Sequence, residues 1–393
     1  MNDLKMISEL KDAFREVYGD AEGASFYFAP GRANLIGEHI DYNGGHVLPC
    51  ALAMGTYAAV RKRSDRGLRF YSVNFRQDGV ITGSLDDLRP LEDDTWAAYM
   101  KGVIWALERR GAAPDRGLDI VLYGDLPGGA GLSSSASVEV LTGWILKDLF
   151  DLPLSVTDIA VCGQEAERGY IGVDCGIMDQ YACAAGREGY AMDLDTADLG
   201  CRYVPLSLPG IDLLITNTNI KHDLRSSAYN ERRQQCAAAL EILREHGSFA
   251  SLCSVDPEEF TALEGIFDDP VLQKRARHAV MENDRVRQAA EALQKGQIET
   301  LGRLMNASHR SLKEDFEVSC CELDILAETA QMLPGVLGSR MMGGGFGGCT
   351  ISLVRRDHLD AFKETLRRVY LEKTGITCTF YSVSPGGGPK KLG

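Results

Sequence analysis

The sequence predicts a two-domain α+β protein, on three observations. At 393 residues the chain exceeds what one hydrophobic core ordinarily serves. Its first 125 or so residues alternate short β-branched and aromatic runs with turn signals, whereas the stretch from about residue 217 to 340 is mostly helical in pattern. The last 45 or so residues then read strand, helix, strand, which suggests a second domain of split β-α-β type. Two domains leave a cleft between them.

In chain order, Leu4, Ile7, Leu10 and Phe14 keep helical spacing, and residues 25–29 read as a strand halted by Pro30-Gly31. Residues 56–62, 68–73 and 118–122 supply further strands, with helices over 96–110 and 135–149. Ser155-Val-Thr-Asp158 has capping-box form, and the helix it opens runs through Ile159, Cys162 and Ala166 to a stop at Gly169. Glu165 and Glu167 fall at that helix's C-terminal end, where a carboxylate opposes the dipole unless a cation joins it. A strand at 211–216 opens the second domain. Near the end come a strand at 349–354, a helical stripe of Leu359, Phe362, Leu366, Val369 and Tyr370 ending before Gly375, and a strand at 377–383.

Composition excludes several classes of function. Lys and Arg total 42 against 56 Asp and Glu, a formal charge of -14 that repels nucleic acid and anionic lipid. Any anion this chain handles must be held by a local device. Eleven Cys residues, none in a Cys-x-x-Cys pair, suggest neither a disulfide framework nor a zinc knuckle. The N-terminus is polar and amphipathic, and no apolar run approaches the 18 or so residues of a membrane span, so the expectation is a cytoplasmic protein with no membrane partner.

Four stretches carry chemistry. Gly31-Arg-Ala-Asn-Leu-Ile-Gly-Glu-His-Ile-Asp41-Tyr-Asn-Gly-Gly-His-Val-Leu-Pro49 sets Arg32, Glu38, His39 and Asp41 among glycines just past a strand end, a pattern suited to a polyhydroxylated ligand. Leu126-Pro-Gly-Gly-Ala-Gly-Leu-Ser-Ser-Ser-Ala136 runs directly into a helix, whose unpaired N–H groups and positive dipole end suit phosphate; it lacks Gly-Lys-Ser/Thr and so is no Walker A loop. Cys175-Gly-Ile-Met-Asp179-Gln-Tyr places an acid in an apolar setting, where a cation such as Arg32 would keep it ionised. Gly343-Gly-Gly-Phe-Gly-Gly348 precedes a strand and permits close backbone approach. Taken singly, each has an ordinary structural explanation: a surface ion pair, an Asx-turn, a Ser N-cap, a flexible turn.

Taken together, in this order, the four stretches resemble the galactokinase family of the GHMP small-molecule kinases, which also include homoserine, mevalonate and phosphomevalonate kinases. The likeness spans residues 25 to 354. It implies a ribosomal protein S5 domain 2-like N-terminal domain over residues 1–208, carrying the sugar signature and phosphate loop, and a ferredoxin-like C-terminal domain over 209–393. The active site would lie between them. Carried over by residue, Arg32 and Asp179 match the catalytic pair, and Glu38, His39, Asp41, Gly176, Asp179 and Tyr229 the sugar-binding positions. Gly128, Gly129, Gly131, Leu132, Ser133, Ser134, Ser135 and Ala136 match the ATP-binding loop, with Trp96 near the adenine. Ser135 and Glu167 match the Mg²⁺ positions, which would account for a Glu at an unfavourable helix end. The implied reaction is transfer of the γ-phosphoryl group of ATP to the anomeric hydroxyl of galactose by a monomer. A kinase for N-acetylgalactosamine or another sugar such as arabinose, and a non-enzymatic sensor of galactose and ATP, stand as the alternatives; the intact Ser133–Ser137 segment and the presence of both Arg32 and Asp179 favour an enzyme.

Overall fold

The structure, a computed structural model, describes residues 3–90, 95–128, 131–220 and 225–392. The N-terminal half runs α1 (Asp3–Tyr18), β1 (Ser25–Asn34), β2 (His46–Val47), β3 (Pro49–Lys62), β4 (Gly67–Ser72), β5 (Ile81–Ser84), α2 (Ala97–Arg109), β6 (Leu118–Gly124) and α3 (Ser134–Phe150). It continues with α4 (Val156–Glu165), a π-helical turn (Ala166–Ile171), α5 (Met178–Ala185), β7 (Tyr190–Asp195) and β8 (Cys201–Pro205). After β9 (Ile211–Asn217) come α6 (Arg225–Arg244), α7 (Pro257–Leu263), α8 (Pro270–Gln294), α9 (Ile298–Glu314) and α10 (Cys321–Met332). The chain ends on β10 (Val336–Met342), β11 (Cys349–Arg355), α11 (Leu359–Thr374), β12 (Thr379–Val383) and β13 (Lys390–Leu392).

Among the described residues the strands form three sheets: β13-β1-β3-β6-β4-β5, β10-β11-β9-β12 and β2-β7-β8. The first is a sandwich filling. Tyr27, Ala58, Val60 and Ile120 point toward the main core with α2 to α5, while Phe28, Tyr57, Ala59 and Val121 point the other way, onto Met6, Leu10 and Phe14 of α1. That alternation is the period-2 pattern of a sheet covered on both faces. The second sheet is antiparallel throughout. Leu214 and Val354 lie on its outer face against Leu326 of α10 and Phe362, Leu366 and Tyr370 of α11. The predicted strand-helix-strand tail is therefore present as β11, α11 and β12, and the short β13 that follows it pairs with β1 in the first sheet.

Three local expectations need correction. β1 does not stop at Pro30-Gly31; it runs to Asn34 with a register shift between Pro30 and Arg32. The pair acts as a bulge because Gly31 lies against the loop before α3, where a Cβ would meet the Leu132 carbonyl at 2.6 Å. α4 opens on the predicted capping box, but the chain does not stop at Gly169: it winds on as the π-turn to Gly172, which has φ 87°. Gly169 instead makes room for the Trp105 ring. Strands β7 and β8 were not anticipated, since Asp193, Asp195 and Arg202 interrupt their apolar pattern.

The register of the parallel β4–β6 pair is held by charge. Arg61, Asp119 and Arg69 are direct cross-strand neighbours on β3, β6 and β4, and buried Asp119 accepts from Arg61 (3.1 Å), Arg63 (2.8 Å) and Arg69 (2.7 and 2.8 Å). Burial alone would raise the Asp119 pKa, but the bonds from Arg69, Arg63 and Arg61 hold it below 3.8. A carboxyl depressed in the fold stabilises it above the unfolded pKa, and that stability is lost as pH falls through the folded value. Asp119→Asn should therefore cost about 1–2 kcal/mol at pH 7 in urea unfolding, with the gap to the parent closing as pH drops below about 4.

Candidate active site

The segment between β1 and β2 folds inward on Leu35, Ile36 and Ile40, all fully buried. Its turns use left-handed backbone at Gly37 (φ 106°) and His39 (φ 63°). Glu38 is enclosed: one carboxylate oxygen accepts from the Gly343 amide (3.1 Å), the other from Asn34 (2.7 Å) and the guanidinium of Arg340. Arg340 also donates to the carbonyls of Asn34 and Leu35, at 3.2 Å each. This buried ion pair ties β10 to the segment.

His39 lies between Tyr42 Oη (2.8 Å from Nδ1) and the Gly344 carbonyl (3.2 Å from Nε2). A carbonyl only accepts, so Nε2 carries the proton and Nδ1 accepts from the tyrosine. Burial, reinforced by His278, pushes the His39 pKa down to about 3, which keeps the ring neutral. Tyr229 of α6 packs on it, ring centroids 5.3 Å apart, and on Tyr42 at 5.5 Å. Asp41 accepts from the Met178 amide (3.4 Å). Burial first, and Asp179 second, push its pKa up to about 6. Gly176 is required by that packing, for a Cβ there would fall 1.7 Å from Asp41 Oδ2.

Arg32, delivered by the bulge in β1, grips Asp179 in the first turn of α5 with Nε (2.8 Å) and Nη2 (2.7 Å). The guanidinium side chain is 4 % exposed and the carboxylate 33 %, so the acid end of the pair faces open space. Nη1 donates to the Gly131 carbonyl (2.6 Å), and Ser133, itself in left-handed backbone, donates to Asp179 Oδ2. The loop before α3 and the Asp179 carboxylate are thereby fastened to one arginine.

Two cavities meet at this pair. One, of about 220 Å³, is lined by Glu38, His39, Asp41, Glu167, Gly176 and Tyr229; the other, of about 270 Å³, by Pro127, Gly131, Leu132 and Ser133 to Ser135. Arg32, Asp179, Gly343 and Gly344 line both. The sugar-signature residues are thus gathered on one side of Asp179 and the loop before α3 on the other. Gly129 lies outside the described residues. Gly128 and Ala136 line neither cavity, Ala136 being packed in the core. Trp96 also stands apart, its indole donating to Asp78 (3.2 Å).

Glu165 ends α4 and Glu167 lies in the π-turn that follows, and the two face opposite ways. Glu165 points out to Arg110 (2.7 and 3.0 Å), while Glu167 points in. Burial raises the Glu167 pKa, opposed by hydrogen bonds from Cys175, Ser135 and Gln180, the last at 2.8 Å. Gln180 also donates to Glu139 (3.0 Å), which is fully buried on α3 and whose other oxygen has no partner. Sequence reasoning missed Arg340, Gln180 and Glu139. A lone arginine in the apolar run of β10 was the one available signal.

Comparison with known proteins agrees with this geometry. The galactokinase galactose-binding signature matches residues 12–62, and the GHMP kinase N-terminal and C-terminal domains match 98–187 and 289–371. A galactokinase of Bacillus subtilis strain 168 is 47% identical over 387 residues, covering 98% of this chain and 99% of its own length. One from Clostridium acetobutylicum is 47% identical over 389 residues, covering 99% and 100%. The crystal structure of Lactococcus lactis galactokinase complexed with galactose aligns with a TM-score of 0.96 at 43% identity, over 98% of this chain and all of that one. A mevalonate kinase shares the fold alone, at a TM-score of 0.62 and 16% identity. With such identity along its whole length, the two-domain α+β GHMP fold and a paired Arg32 and Asp179 between the two cavities, the chain belongs to the galactokinase family, a sugar kinase with ATP as co-substrate.

Proposed function

We propose that the chain phosphorylates D-galactose at its anomeric hydroxyl, giving galactose 1-phosphate and ADP, the entry step of galactose breakdown. The observation that carries this reading is the Arg32–Asp179 pair at the junction of the two cavities, with the carboxylate turned toward both. Glu38, His39, Asp41, Gly176 and Tyr229 line the sugar side, and Gly131, Leu132 and Ser133 to Ser135 line the side that serves the triphosphate. Phosphoryl transfer asks mainly for positioning and charge stabilisation. Asp179 orients the anomeric hydroxyl and takes its proton as the oxygen bonds to the γ-phosphorus and the bond to the β,γ-bridging oxygen breaks. Arg32 holds the Asp179 carboxylate in place through two hydrogen bonds and offers positive charge beside the transferred group.

The Ser135 hydroxyl and the Glu167 carboxylate, which line the two adjoining cavities, form an all-oxygen donor set of the kind Mg²⁺ prefers. They would hold the ion, which supplies charge neutralisation to the phosphates. Gln180 fixes Glu167 from behind. The division into residues 1–208 and 209–393 is our proposed domain boundary, with β13 crossing back onto the first sheet. A monomer in the cytoplasm is the proposed state; among the described residues no helix is long and apolar enough to cross a membrane.

Galactose differs from glucose only at the 4-hydroxyl, so discrimination must come from hydrogen bonds that one epimer completes and the other leaves unpaired. kcat/KM at saturating Mg-ATP should be high for galactose, very low for glucose and weak for N-acetylgalactosamine. Asp41→Ala should cost galactose affinity more than ATP affinity. Preference for N-acetylgalactosamine would reassign the substrate, and no turnover of any sugar would point to a sensor. Asp179→Asn keeps shape and removes charge, so turnover should fall by roughly 10² to 10⁴ while ATP still binds; turnover within a few-fold of the parent would reject Asp179 as the base.

The metal assignment is checked separately. Glu167→Gln should raise the Mg²⁺ concentration needed for half-maximal activity, with galactose binding by calorimetry nearly unchanged. Lost galactose affinity with a normal Mg²⁺ requirement would contradict the assignment.

A further inference from the structure

The sugar-signature segment has a side that faces away from the cavity. There its backbone presents the Gly37 amide, the Glu38 carbonyl and the His46 amide to the protein interior, where an unpaired polar group is costly. All three are met by one helix of the C-terminal half. The Gly37 amide donates to Glu282 Oε1 (3.1 Å), His278 Nε2 donates to the Glu38 carbonyl (3.1 Å), and the His46 amide donates to Asn283 Oδ1 (2.8 Å). His278 and Glu282 stand one turn apart on α8 and are fully buried.

These residues are themselves pinned. Glu282 also accepts from Ser308 (2.5 Å) and Arg285 (2.6 Å), and Asn283 donates to the Cys253 carbonyl (2.8 Å). His278 Nδ1 pairs with Ser311 (2.9 Å). The contact is close: a Cβ on Gly37 would meet the Val286 side chain at 2.9 Å. A stack of rings continues it, with Phe316 lying 4.5 Å from His278 and 4.9 Å from His39 by centroids. Left-handed backbone at His39 persists only where its surroundings impose it.

We propose that His278 and Glu282 are positioning residues for the sugar, fixing from α8 the backbone that aims Glu38, His39 and Asp41 into the cavity. The proposal rests on the galactose reading of that cavity. The bonds of His278, Glu282 and Asn283 named above end on this segment, on α8 and α9, or on Cys253, and none reaches the phosphate loop. Loosening them should therefore tell on the sugar and spare the nucleotide.

The test uses the full-length enzyme with Glu282→Ala and His278→Ala, beside the conservative Glu282→Gln and His278→Gln. Glutamine at 282 keeps an oxygen for the Gly37 amide, and at 278 keeps an N–H for the Glu38 carbonyl. Each alanine variant should raise the galactose KM about tenfold, the scale of one buried bond left unmade, with the ATP KM within about twofold of the parent. The glutamine variants should recover most of the loss. Hydrogen exchange over residues 36–46 should quicken in the alanine variants. If they do not fold, Ser308→Ala, which removes only a hydroxyl donor to Glu282, should show the same sugar-selective shift at about threefold. An unchanged galactose KM, or galactose KM, ATP KM and kcat all worsening together, would overturn the proposal. Should the parent not use galactose, the functional reading fails instead; exchange over residues 36–46 no faster in Glu282→Ala than in the parent would then still refute the hold of α8.

Discussion

A guanidinium taken almost wholly out of water must find acceptors on every side, and at Arg32 that requirement organises the site. Carried by β1, it takes its acceptors from two other elements: Asp179 from α5 and the Gly131 carbonyl from the loop before α3. The bulge at Pro30-Gly31 is what allows this. Without a Cβ at residue 31 the strand approaches Leu132 closely enough for the Arg32 amide to donate to the Leu132 carbonyl at 3.2 Å. The same arginine is thus bonded to the loop by backbone and side chain, and the acid is held at a fixed distance from it. Positioning of this kind is most of what a loose phosphoryl-transfer transition state asks of a protein.

A second constraint comes from crossing between the halves of the chain. Glu38 and Arg340 form a buried ion pair, and such pairs add little net stability because desolvation offsets their attraction. What the pair does provide is registry: Arg340 fits only where the carbonyls of Asn34 and Leu35 and the carboxylate of Glu38 converge. Gly343, three residues on, then donates its amide to the same carboxylate. The glycine run after β10 is therefore set against the sugar-signature segment by specific bonds, and its lack of side chains leaves both cavities open beside it.

Much of this was legible locally and little of it at long range. The capping box at Ser155, the apolar stripe of α11 and the strands β3, β4 and β6 follow from periodicity and caps, which are short-range signals. For Asp179, charge argued only for some cation such as Arg32, because a carboxylate in an apolar setting needs one; the specific pair was implied by the family resemblance. Pro30-Gly31 misled because its usual meaning is a stop, and only the nearby Leu132, a hundred residues on, makes it a bulge. Gly169 misled for a like reason: the residue that needs the space is Trp105. Arg340 showed only as a lone charge in the apolar run of β10, and neither its partner nor that of Glu139 could be read locally, since both lie on other elements.

Successive residues of a helix lie about 100° apart, so two glutamates two residues apart face nearly opposite ways. The C-terminal dipole disfavours both. Glu165, the last residue of α4, reaches Arg110 at the surface, while Glu167, in the π-turn, faces inward to Gln180. There it joins Glu139, Asp41 and Asp179 in a region where Arg32 is already committed. Burial raises the pKa of Glu139, Glu167 and Asp41, a measure of how poorly this pocket tolerates more negative charge. A triphosphate entering a chain of net charge -14 needs positive charge at that spot. The N-terminus of α3 offers backbone dipoles, and a divalent ion held as proposed by Ser135 and Glu167 would offset the crowding of these carboxylates.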